Sequence, residues 1–247
     1  MNASGTASIS HSAPDNGSSD ACGGLTYSLT QTSFTCSDVG AQTETMTVTD
    51  ATGNSSNCTT SILTRDVTNP SAVCQNVTVQ LNSSGNGSTT ANDVNNGSND
   101  ACGIASVSLD VTSFDCSDEG ANPVVLTVTD NNSNSAQCTA TVTVEDNVNP
   151  VAVCQDVTVQ LDASGNGSIT TADVDNGSND ACGIASKVLS QTAFVCNEVG
   201  ANPETLTVTD VNGNVHVCNT TVTVQDNVNP VAVCQDVTVQ LDASGNG

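Results

Sequence analysis

The cysteines of this chain recur with a fixed period, and this period constrains the fold more than any other feature. They form three sets of four, at Cys22, Cys36, Cys58 and Cys74, then Cys102, Cys116, Cys138 and Cys154, then Cys182, Cys196, Cys218 and Cys234. Each set is the previous one shifted by 80 positions, without insertion or deletion. Residues 230–247 also repeat residues 150–167 letter for letter. The chain is therefore an array of 80-residue units, a length that is long for a solenoid turn and suits a small β-domain.

Each unit has the sequence pattern of an all-β domain. Val alternates with polar residues in 151–161, and the same period of two recurs in 203–210 and 215–225. Turn formers such as Asp162-Ala-Ser-Gly-Asn-Gly167 separate these runs. The predicted elements of one unit are strand A (151–161), strand B (168–173), a loop (174–183), strand C (184–190), an irregular edge region (191–203), strand F (204–210) and strand G (215–225). The fold class predicted is all-β, with tandem immunoglobulin-like β-sandwich domains of 80 residues arranged as beads on a string or in a filament.

The phase of the repeat predicts four segments. The predicted domains are 1–69, which lacks its first strand, then 70–149 and 150–229, followed by an extra first strand in 230–247. Met1 falls at the phase of Leu81, Leu161 and Leu241, the last apolar residue of strand A.

Composition excludes several classes of protein. Twenty-six acidic residues face two basic ones, for a formal net charge of −24, so the chain has almost nothing to neutralise nucleic acid or anionic lipid headgroups. No apolar run is long enough for direct membrane insertion. With no Trp, one Tyr and three Phe, one large core cannot be filled, whereas small separate domains can. No catalytic constellation is found, so the chain is not expected to be an enzyme.

The motifs of the repeat resemble those of hyalin-repeat (HYR-like) domains. These motifs are Val-Cys near the domain start, Asn-Asp-Ala-Cys-Gly, Leu-Thr-Val-Thr-Asp, Asn-Gly-Asn and Thr-Val-Thr-Val-x-Asp-Asn. The likeness is greatest to tandem repeats of secreted adhesins and surface filaments of Bacteroidota, and it covers essentially the whole chain. The resemblance implies a structural or adhesive role, extracellular or at the cell surface.

Four regularly spaced cysteines in a small, core-poor secreted domain predict a disulfide scaffold. Strands A and G should run parallel, so Cys154 and Cys218 lie at the same pole and are expected to pair. Cys218 and Cys234 should instead lie roughly 30–40 Å apart, too far for a bond. This leaves Cys182 to pair with Cys196. Translation by the period extends these predictions to Cys74–Cys138, Cys102–Cys116 and Cys22–Cys36. Zinc is not expected, since no CxxC or CxxH spacing occurs.

Cys58 and Cys234 are then left without partners within the chain. In one explanation, the sequence is a window of a longer tandem chain, and both cysteines pair with repeats outside it. In the other, strand 231–241 of one copy completes the first domain of a neighbouring copy, and Cys234 bonds its Cys58. The duplicated phase of residues 242–247 and 2–7 slightly favours the window, since both segments cannot fill one turn. The expected partner is therefore self, as a head-to-tail polymer, or further repeats of the same chain.

Acidic and amide residues cluster at the pole where strand A begins, and this pattern predicts calcium, Ca2+, as a cofactor. Carboxylate and carbonyl oxygens are the ligands that calcium takes, six to eight at a time. The linker resembles the Asp-Asn-x-Pro calcium linkers between cadherin domains. The candidate ligands are Asp66, Asn69, Asp93, Asp100, Asp130, Asn132, Glu145, Asp146, Asn147, Asn149, Asp173, Asp175, Asp180, Asp210, Asn212, Asn214 and Asp226. In the competing interpretation, these residues are only turn formers on a solvated surface.

The function predicted is a structural subunit or segment of an extracellular filament, built from disulfide- and calcium-stabilised immunoglobulin-like repeats. The alternative is the stalk of a large cell-surface adhesin whose binding tip lies outside this segment. A carbohydrate-binding module is a weaker third candidate, because Tyr27 is the only Tyr or Trp available for stacking on a sugar.

Overall fold

The protein is nearly all β and consists of repeated β-sandwich-like units. A computed structural model describes residues 1–246, so Gly247, the last residue of the predicted segment 230–247, lies outside the described residues. Contacts divide the chain into two units, residues 1–146 and 147–247. No helix within residues 1–246 is long and apolar enough to cross a membrane.

The first repeat contains five strands. They are β1 (Thr6–Ser8), β2 (Thr26–Leu29), β3 (Ser33–Thr35), β4 (Gly40–Thr49) and β5 (Ser55–Thr64), with a 3-10 turn at Cys36–Asp38. The sheet order is β2-β4-β5, and β1 pairs with β3 in a second, two-stranded sheet. Strand β5 therefore lies at a sheet edge.

The second repeat has the same plan and one more strand. Its elements are β6 (Val77–Gln80), β7 (Asn86–Ser88), the one-turn helix α1 (Ala91–Val94), β8 (Ile104–Leu109), β9 (Ser113–Asp115), a 3-10 turn (Cys116–Asp118), β10 (Gly120–Asp130) and β11 (Ser135–Glu145). The main sheet has the order β6-β11-β10-β8. The added strand, β6, runs parallel to β11.

The third repeat reproduces the second. Its elements are β12 (Val157–Gln160), β13 (Asn166–Ser168), α2 (Thr171–Val174), β14 (Ile184–Leu189), β15 (Ala193–Val195), a 3-10 turn (Cys196–Glu198), β16 (Gly200–Asp210) and β17 (Val215–Gln225). The sheet order is β12-β17-β16-β14, with β12 parallel to β17. The predicted parallel pairing of strands A and G is present in both complete repeats.

Predicted strands A and B differ from those observed, and the region 191–203, predicted as irregular, contains β15 and the first residues of β16. The ladder of strand A is limited to Val157–Gln160, and residues 151–156 make only isolated bridges at Val151 and Cys154. Predicted strand B (168–173) ends at Ser168, and a helical turn follows it. The Thr170 backbone N–H donates to Asp173 Oδ2 at 2.7 Å, and the Thr170 hydroxyl donates to the same oxygen. These local bonds stabilise a capped turn in competition with a strand.

The core of the third repeat lies between its two sheets. Alternation along β16 and β17 buries every second side chain, as period-two packing requires. The buried cluster consists of Val159, Leu161, Ile169, Val174, Leu189, Phe194, Leu206, Val208, Val222 and Val224. One Phe suffices for this core because the repeat is small and cross-linked.

Candidate functional site: a repeat junction and an open sheet edge

Two disulfides attach the segment just before β6 or β12 to the last strand of the same repeat. Cys74 is bonded to Cys138 and Cys154 to Cys218, with Cα atoms 6.0 Å apart in both pairs. These are two of the pairs predicted from the parallel arrangement of strands A and G. Each bond joins residues 64 apart in sequence and so closes a large loop.

The predicted pairs Cys22–Cys36, Cys102–Cys116 and Cys182–Cys196 are wrong. Cys36 is bonded to Cys102, 66 residues away in the next repeat, while Cys22 and Cys196 are free and exposed. Cys116 and Cys182 are each disulfide-bonded as well. The physical reason is distance. The six-residue strand β8 follows Cys102 and carries the chain about 20 Å away before the turn that holds Cys116.

The Cys36–Cys102 bond lies where a turn of the first repeat meets a loop of the second. Cys36 Sγ lies 3.6 Å from the carbonyl oxygen of Gly5. Gly5 has a φ of +70°, and a Cβ at this position would lie 2.6 Å from Cys36 Sγ and 3.2 Å from Ala101 Cβ. Only glycine fits here without displacing the neighbouring atoms.

Two carboxylates meet at the same junction. Ligand atoms of Asp66, Asp100 and Cys102 all lie within 4.8 Å of one another, but Cys102 Sγ is occupied by its bond to Cys36. Asp66 Oδ1 accepts the Thr68 backbone N–H at 3.1 Å. Asp66 Oδ2 is buried and has no hydrogen-bond partner, and the whole residue is only 7% exposed. A buried, unpaired carboxylate oxygen is costly and requires compensation.

A third element reaches this cluster from the β10–β11 hairpin. Asn134 Nδ2 donates to the Asp66 carbonyl oxygen at 3.3 Å, and Asp100 Oδ1 accepts the Cys102 N–H at 2.7 Å. Neither carboxylate forms an ion pair within residues 1–246. Linker, loop and hairpin therefore converge in the first unit, as the sequence predicts for residues at one pole. In residues 1–246, no Lys, Arg or N-terminal ammonium lies within ion-pair distance of these two adjacent carboxyl groups.

The hairpin acids predicted as ligands hold their own turns. Asp130 Oδ1 accepts the backbone N–H groups of Asn132 and Asn134, both at 2.8 Å, and Asp130 Oδ2 accepts Asn134 Nδ2. Asp210 makes the equivalent bonds to Asn212 and Asn214. Both carboxylates are therefore already hydrogen-bonded by their own hairpins.

Three further candidates serve local structure. Asp93 and Asp173 accept hydrogen bonds from Thr90 and Thr170 at the starts of α1 and α2, and these bonds lower the pKa of both carboxyls. Asp175 pairs with Lys187. Burial raises the pKa of Asp175, but hydrogen bonds from Lys187 and Ser178 outweigh it, so its pKa lies below the usual value.

The remaining candidate ligands differ in their hydrogen bonds and in their burial. Glu145 Oε2 accepts Gln80 Nε2 at the end of β11, and Asp180 Oδ1 accepts the Cys182 N–H at 2.8 Å. Asp146 is buried, and Asn212 Oδ1 is a buried atom without a hydrogen-bond partner. The exposed members are Asn69, Asn147, Asn149 and Asp226.

An open groove lies along the edge of the first repeat, at the place that residues 70–74 take in the second repeat. It encloses about 390 Å³ and is lined by Ser18, Ser19, Asp20, Leu25, Val48, Asp50, Asn54, Ser55, Ser56, Asn57 and Cys58. In the second repeat this position is filled. There, Ser98 Oγ accepts the Val73 N–H at 2.9 Å, and Ser71 and Asn99 form a β-bridge. Ser18 and Ser19 occupy the positions of Ser98 and Asn99 in the 80-residue period.

Sequence reasoning missed the role of these serines. The Ser178 hydroxyl accepts a hydrogen bond from the Val153 N–H and donates one to the Val153 carbonyl oxygen. Ser98 makes the same two bonds with Val73. The available signal is the triplet Asn-Gly-Ser, which recurs at 16–18, 96–98 and 176–178.

A matching segment lies exposed at the other end of the chain. Residues 230–241 form no regular secondary structure, and Val237, Val239 and Leu241 are 73%, 64% and 67% exposed. In the identical segment 150–161, Val159 and Leu161 are 7% and 4% exposed. The same residues are therefore core in one copy of the segment and solvated in the other.

The comparison with solved structures finds cadherin and protocadherin chains at low TM-scores. No protein-family model matches the chain, and no curated protein matches it. Mouse cadherin-23 EC22–24 is 16% identical, covering 86% of this chain and 89% of that chain, with a TM-score of 0.36. The extracellular cadherin domains 1–4 of protocadherin gamma B7 are 12% identical, covering 82% and 67%, with a TM-score of 0.34. The hyalin-repeat and Bacteroidota resemblance finds no specific support here and stays a prediction.

Proposed function

We propose that this chain is a structural segment of an extracellular filament, in which strand 231–241 of one copy completes the first repeat of the next. The observation that carries the proposal is the match between an exposed strand and an open edge. Segment 230–241 repeats the sequence of a segment whose Val159 and Leu161 are buried in the third repeat, and the first repeat has a groove where residues 230–234 of that segment would lie. A head-to-tail contact extends into a fibre when its rotation does not close a ring.

The register of the donated strand follows from the complete repeats. β12 pairs with β17 through Val157↔Val222 to Gln160↔Gln225. Shifted by the period, residues 237–240 pair with residues 62–65 at the β5 edge. Val239 then packs into the sandwich as Val159 does, and Cys234 comes to Cys58 as Cys154 does to Cys218. Main-chain hydrogen bonds supply affinity, and alternate side chains set the register.

Disulfides support an extracellular location for this filament. Cross-links of this type persist in oxidising compartments and are rare in the reducing cytosol. The role proposed is structural and not enzymatic. What each repeat contributes to the filament is its β-sheets, its turns and its disulfide cross-links.

Calcium fits the Asp66–Asp100 junction and is proposed to stabilise it. The fit rests on the buried, unpartnered Asp66 Oδ2 beside a second carboxylate, without a Lys or Arg paired to either. Oxygen donors of this kind are those that calcium prefers. The sequence repeats the two acids as Asp146 and Asp180. A cation bound at Asp66 and Asp100 would stiffen the connection between the first two repeats.

Strand donation is tested with two double variants of the full chain. V237D/V239D places two charges on the inward face of the donated strand. T238D/Q240D is the matched control, because the equivalent Thr158 and Gln160 are exposed. All variants carry C22S/C58S/C196S/C234S, which removes the free cysteines and keeps the disulfides of the fold. In this background, we expect the parent chain and the control to form concentration-dependent oligomers in sedimentation velocity, whereas V237D/V239D stays monomeric. Equal behaviour of the two variants would refute strand donation.

The alternative function is the stalk of a surface adhesin, in which the next repeat belongs to the same chain. The position of Met1 favours it, because the Met1 amino group donates to the Arg65 carbonyl oxygen at 2.8 Å. Leu81 N–H makes the same contact with Glu145 at 2.9 Å. Met1 thus takes the position that Leu241 would otherwise fill. Electron microscopy of native material distinguishes a uniform fibre from a stalk with a distinct head.

A further inference from the structure

We propose that Cys196 forms a disulfide with Cys22 of a second copy docked head to tail, so that each junction between copies carries two cross-links. This inference rests on the proposed head-to-tail assembly and adds to the predicted Cys234–Cys58 bond. Its starting point is that Cys22 and Cys196 are both free and exposed. Their counterparts at the same phase, Cys102 and Cys36, are bonded to each other.

Cys196 lies in the same local structure as Cys36. Both cysteines begin a 3-10 turn, Cys196–Glu198 in one case and Cys36–Asp38 in the other. Cys36 Sγ lies 3.6 Å from the Gly5 carbonyl oxygen, and Cys196 Sγ lies 3.7 Å from that of Gly165. The third repeat therefore presents the same half of a junction that the first repeat presents to Cys102.

Cys22 lies in the same loop conformation as Cys102. The Cys22 N–H donates to Asp20 Oδ1 at 2.8 Å, and the Cys102 N–H donates to Asp100 Oδ1 at 2.7 Å. The following residues, Gly23 and Gly103, both have positive φ, +68° and +93°. The first repeat therefore presents the other half of the junction, and the loop needs no rearrangement to use it.

One shift of the chain satisfies both cross-links. Donation of residues 237–240 to residues 62–65 places the next copy 240 positions further along the repeat series. Cys22 of that copy then stands at position 262 of the series, which is 66 beyond Cys196. Cys36 and Cys102 have the same separation of 66. Cys58 of that copy stands 64 beyond Cys234, the separation of the bonded pair Cys154–Cys218. The two bonds are thus independent consequences of one docking geometry.

The chemistry is a two-electron oxidation by thiol–disulfide exchange. The thiols of Cys196 and Cys22 each lose a proton, and one S–S bond forms between their Sγ atoms. The two electrons and two protons pass to a small-molecule disulfide, which is cleaved to two thiols. Both cysteines are exposed, so such an oxidant can reach them.

The test uses pairs of full-length variants, each of which keeps one free cysteine. The first pair is C22S/C58S/C234S, which retains Cys196, and C58S/C196S/C234S, which retains Cys22. The second pair is C22S/C58S/C196S, which retains Cys234, and C22S/C196S/C234S, which retains Cys58. Every substituted cysteine is free and exposed, so folding should be unaffected. One partner of each pair is labelled with 15N, and the mixtures are oxidised with a glutathione redox buffer.

We expect the first pair to give a disulfide-linked heterodimer, at least five times more abundant than either homodimer by intact mass. Adding V237D/V239D to the Cys196 partner should abolish this excess, and adding T238D/Q240D should leave it unchanged. If only the second pair is linked, the Cys196–Cys22 bond is refuted and strand donation stands. If neither pair gives a heterodimer in excess of homodimers, both the cross-link and the proposed assembly are refuted.

Discussion

Cys36 and Cys102 are bonded to each other across two successive repeats, with Cα atoms 5.1 Å apart and a sequence separation of 66. The bond lies beside Asp66 and Asp100, so covalent and electrostatic features of the first unit meet at one junction. A β-domain with few aromatic residues is thus stabilised at its ends as well as in its core.

Removing this bond should destabilise the first unit and loosen its two repeats. For C36S/C102S, we expect the free energy of unfolding to fall by about 4 kcal/mol, the chain-entropy value for a loop of this size. Urea denaturation followed by circular dichroism measures the loss, and limited proteolysis should show faster cleavage between residues 65 and 70. C22S is the matched control, because Cys22 is the free counterpart of Cys102. An unchanged midpoint in C36S/C102S would show that the bond contributes little.

The sequence predicts the parts of the fold that depend on local pattern. Alternation of Val and polar residues identifies the strands, and the parallel pairing of strands A and G leads directly to Cys74–Cys138 and Cys154–Cys218. The pairing of Cys36 could not be obtained in this way. Because every cysteine recurs after 80 residues, a partner 14 positions before it and one 66 positions after it are both compatible with the period.

The limits of prediction at the candidate site have a similar origin. Asp66, Asp93 and Asp130 all stand in acidic, turn-rich segments, so composition treats them alike. In the structure, Asp93 caps a helical turn and Asp130 holds a hairpin, and of the three only Asp66 has a buried oxygen without a hydrogen-bond partner. The difference depends on which backbone N–H groups each carboxylate reaches, and this is fixed by the three-dimensional path of the loops.

Calcium should stabilise the first unit through Asp66. With calcium at about 100 times its Kd, the stabilisation expected is about 2.7 kcal/mol, and D66N should remove most of it. Thermal melts in calcium and in EGTA measure the effect. E119Q is the control, since Glu119 is exposed and its substitution removes the same charge. A melting temperature that does not respond to calcium in wild type would refute the site.

The first repeat should lose stability in acid through Asp50. Hydrogen bonds, first from the Asn54 side chain and then from Thr52, lower the pKa of Asp50 to about 2. Because the folded state holds this carboxylate ionised, its stabilisation is complete above the unfolded pKa and is lost as the pH falls through about 2. The melting temperature of D50N should therefore lie below that of wild type at pH 6, and the two should converge near pH 2. A difference that stays constant between pH 6 and pH 2 would contradict this assignment.

Replacing Glu204 by Val should stabilise the third repeat. Glu204 is 8% exposed and accepts a hydrogen bond from Ser190, whereas the second repeat has a fully buried Val124 at the same phase. Burying a carboxylate is costlier than burying Val, so we expect E204V to gain about 1–2 kcal/mol in urea denaturation. Ser190 Oγ keeps the Thr205 carbonyl as an acceptor at 3.3 Å. E44V tests the same change in the first repeat, where Glu44 is 6% exposed. Lower stability in both variants would contradict the argument.

Assembly should become faster as salt is added, because each copy carries a net charge of −24 and two copies repel each other as they approach. Raising NaCl from 10 to 100 mM shortens the Debye length from about 30 Å to about 10 Å. We expect the association rate of C22S/C58S/C196S/C234S, which keeps the disulfides of the fold, to rise about tenfold or more over this range when followed by light scattering. For V237D/V239D, we expect no increase of scattering with time at any of these NaCl concentrations. Slower assembly at 100 mM would mean that attraction between charged surfaces, and not the fit of the donated strand, brings the copies together.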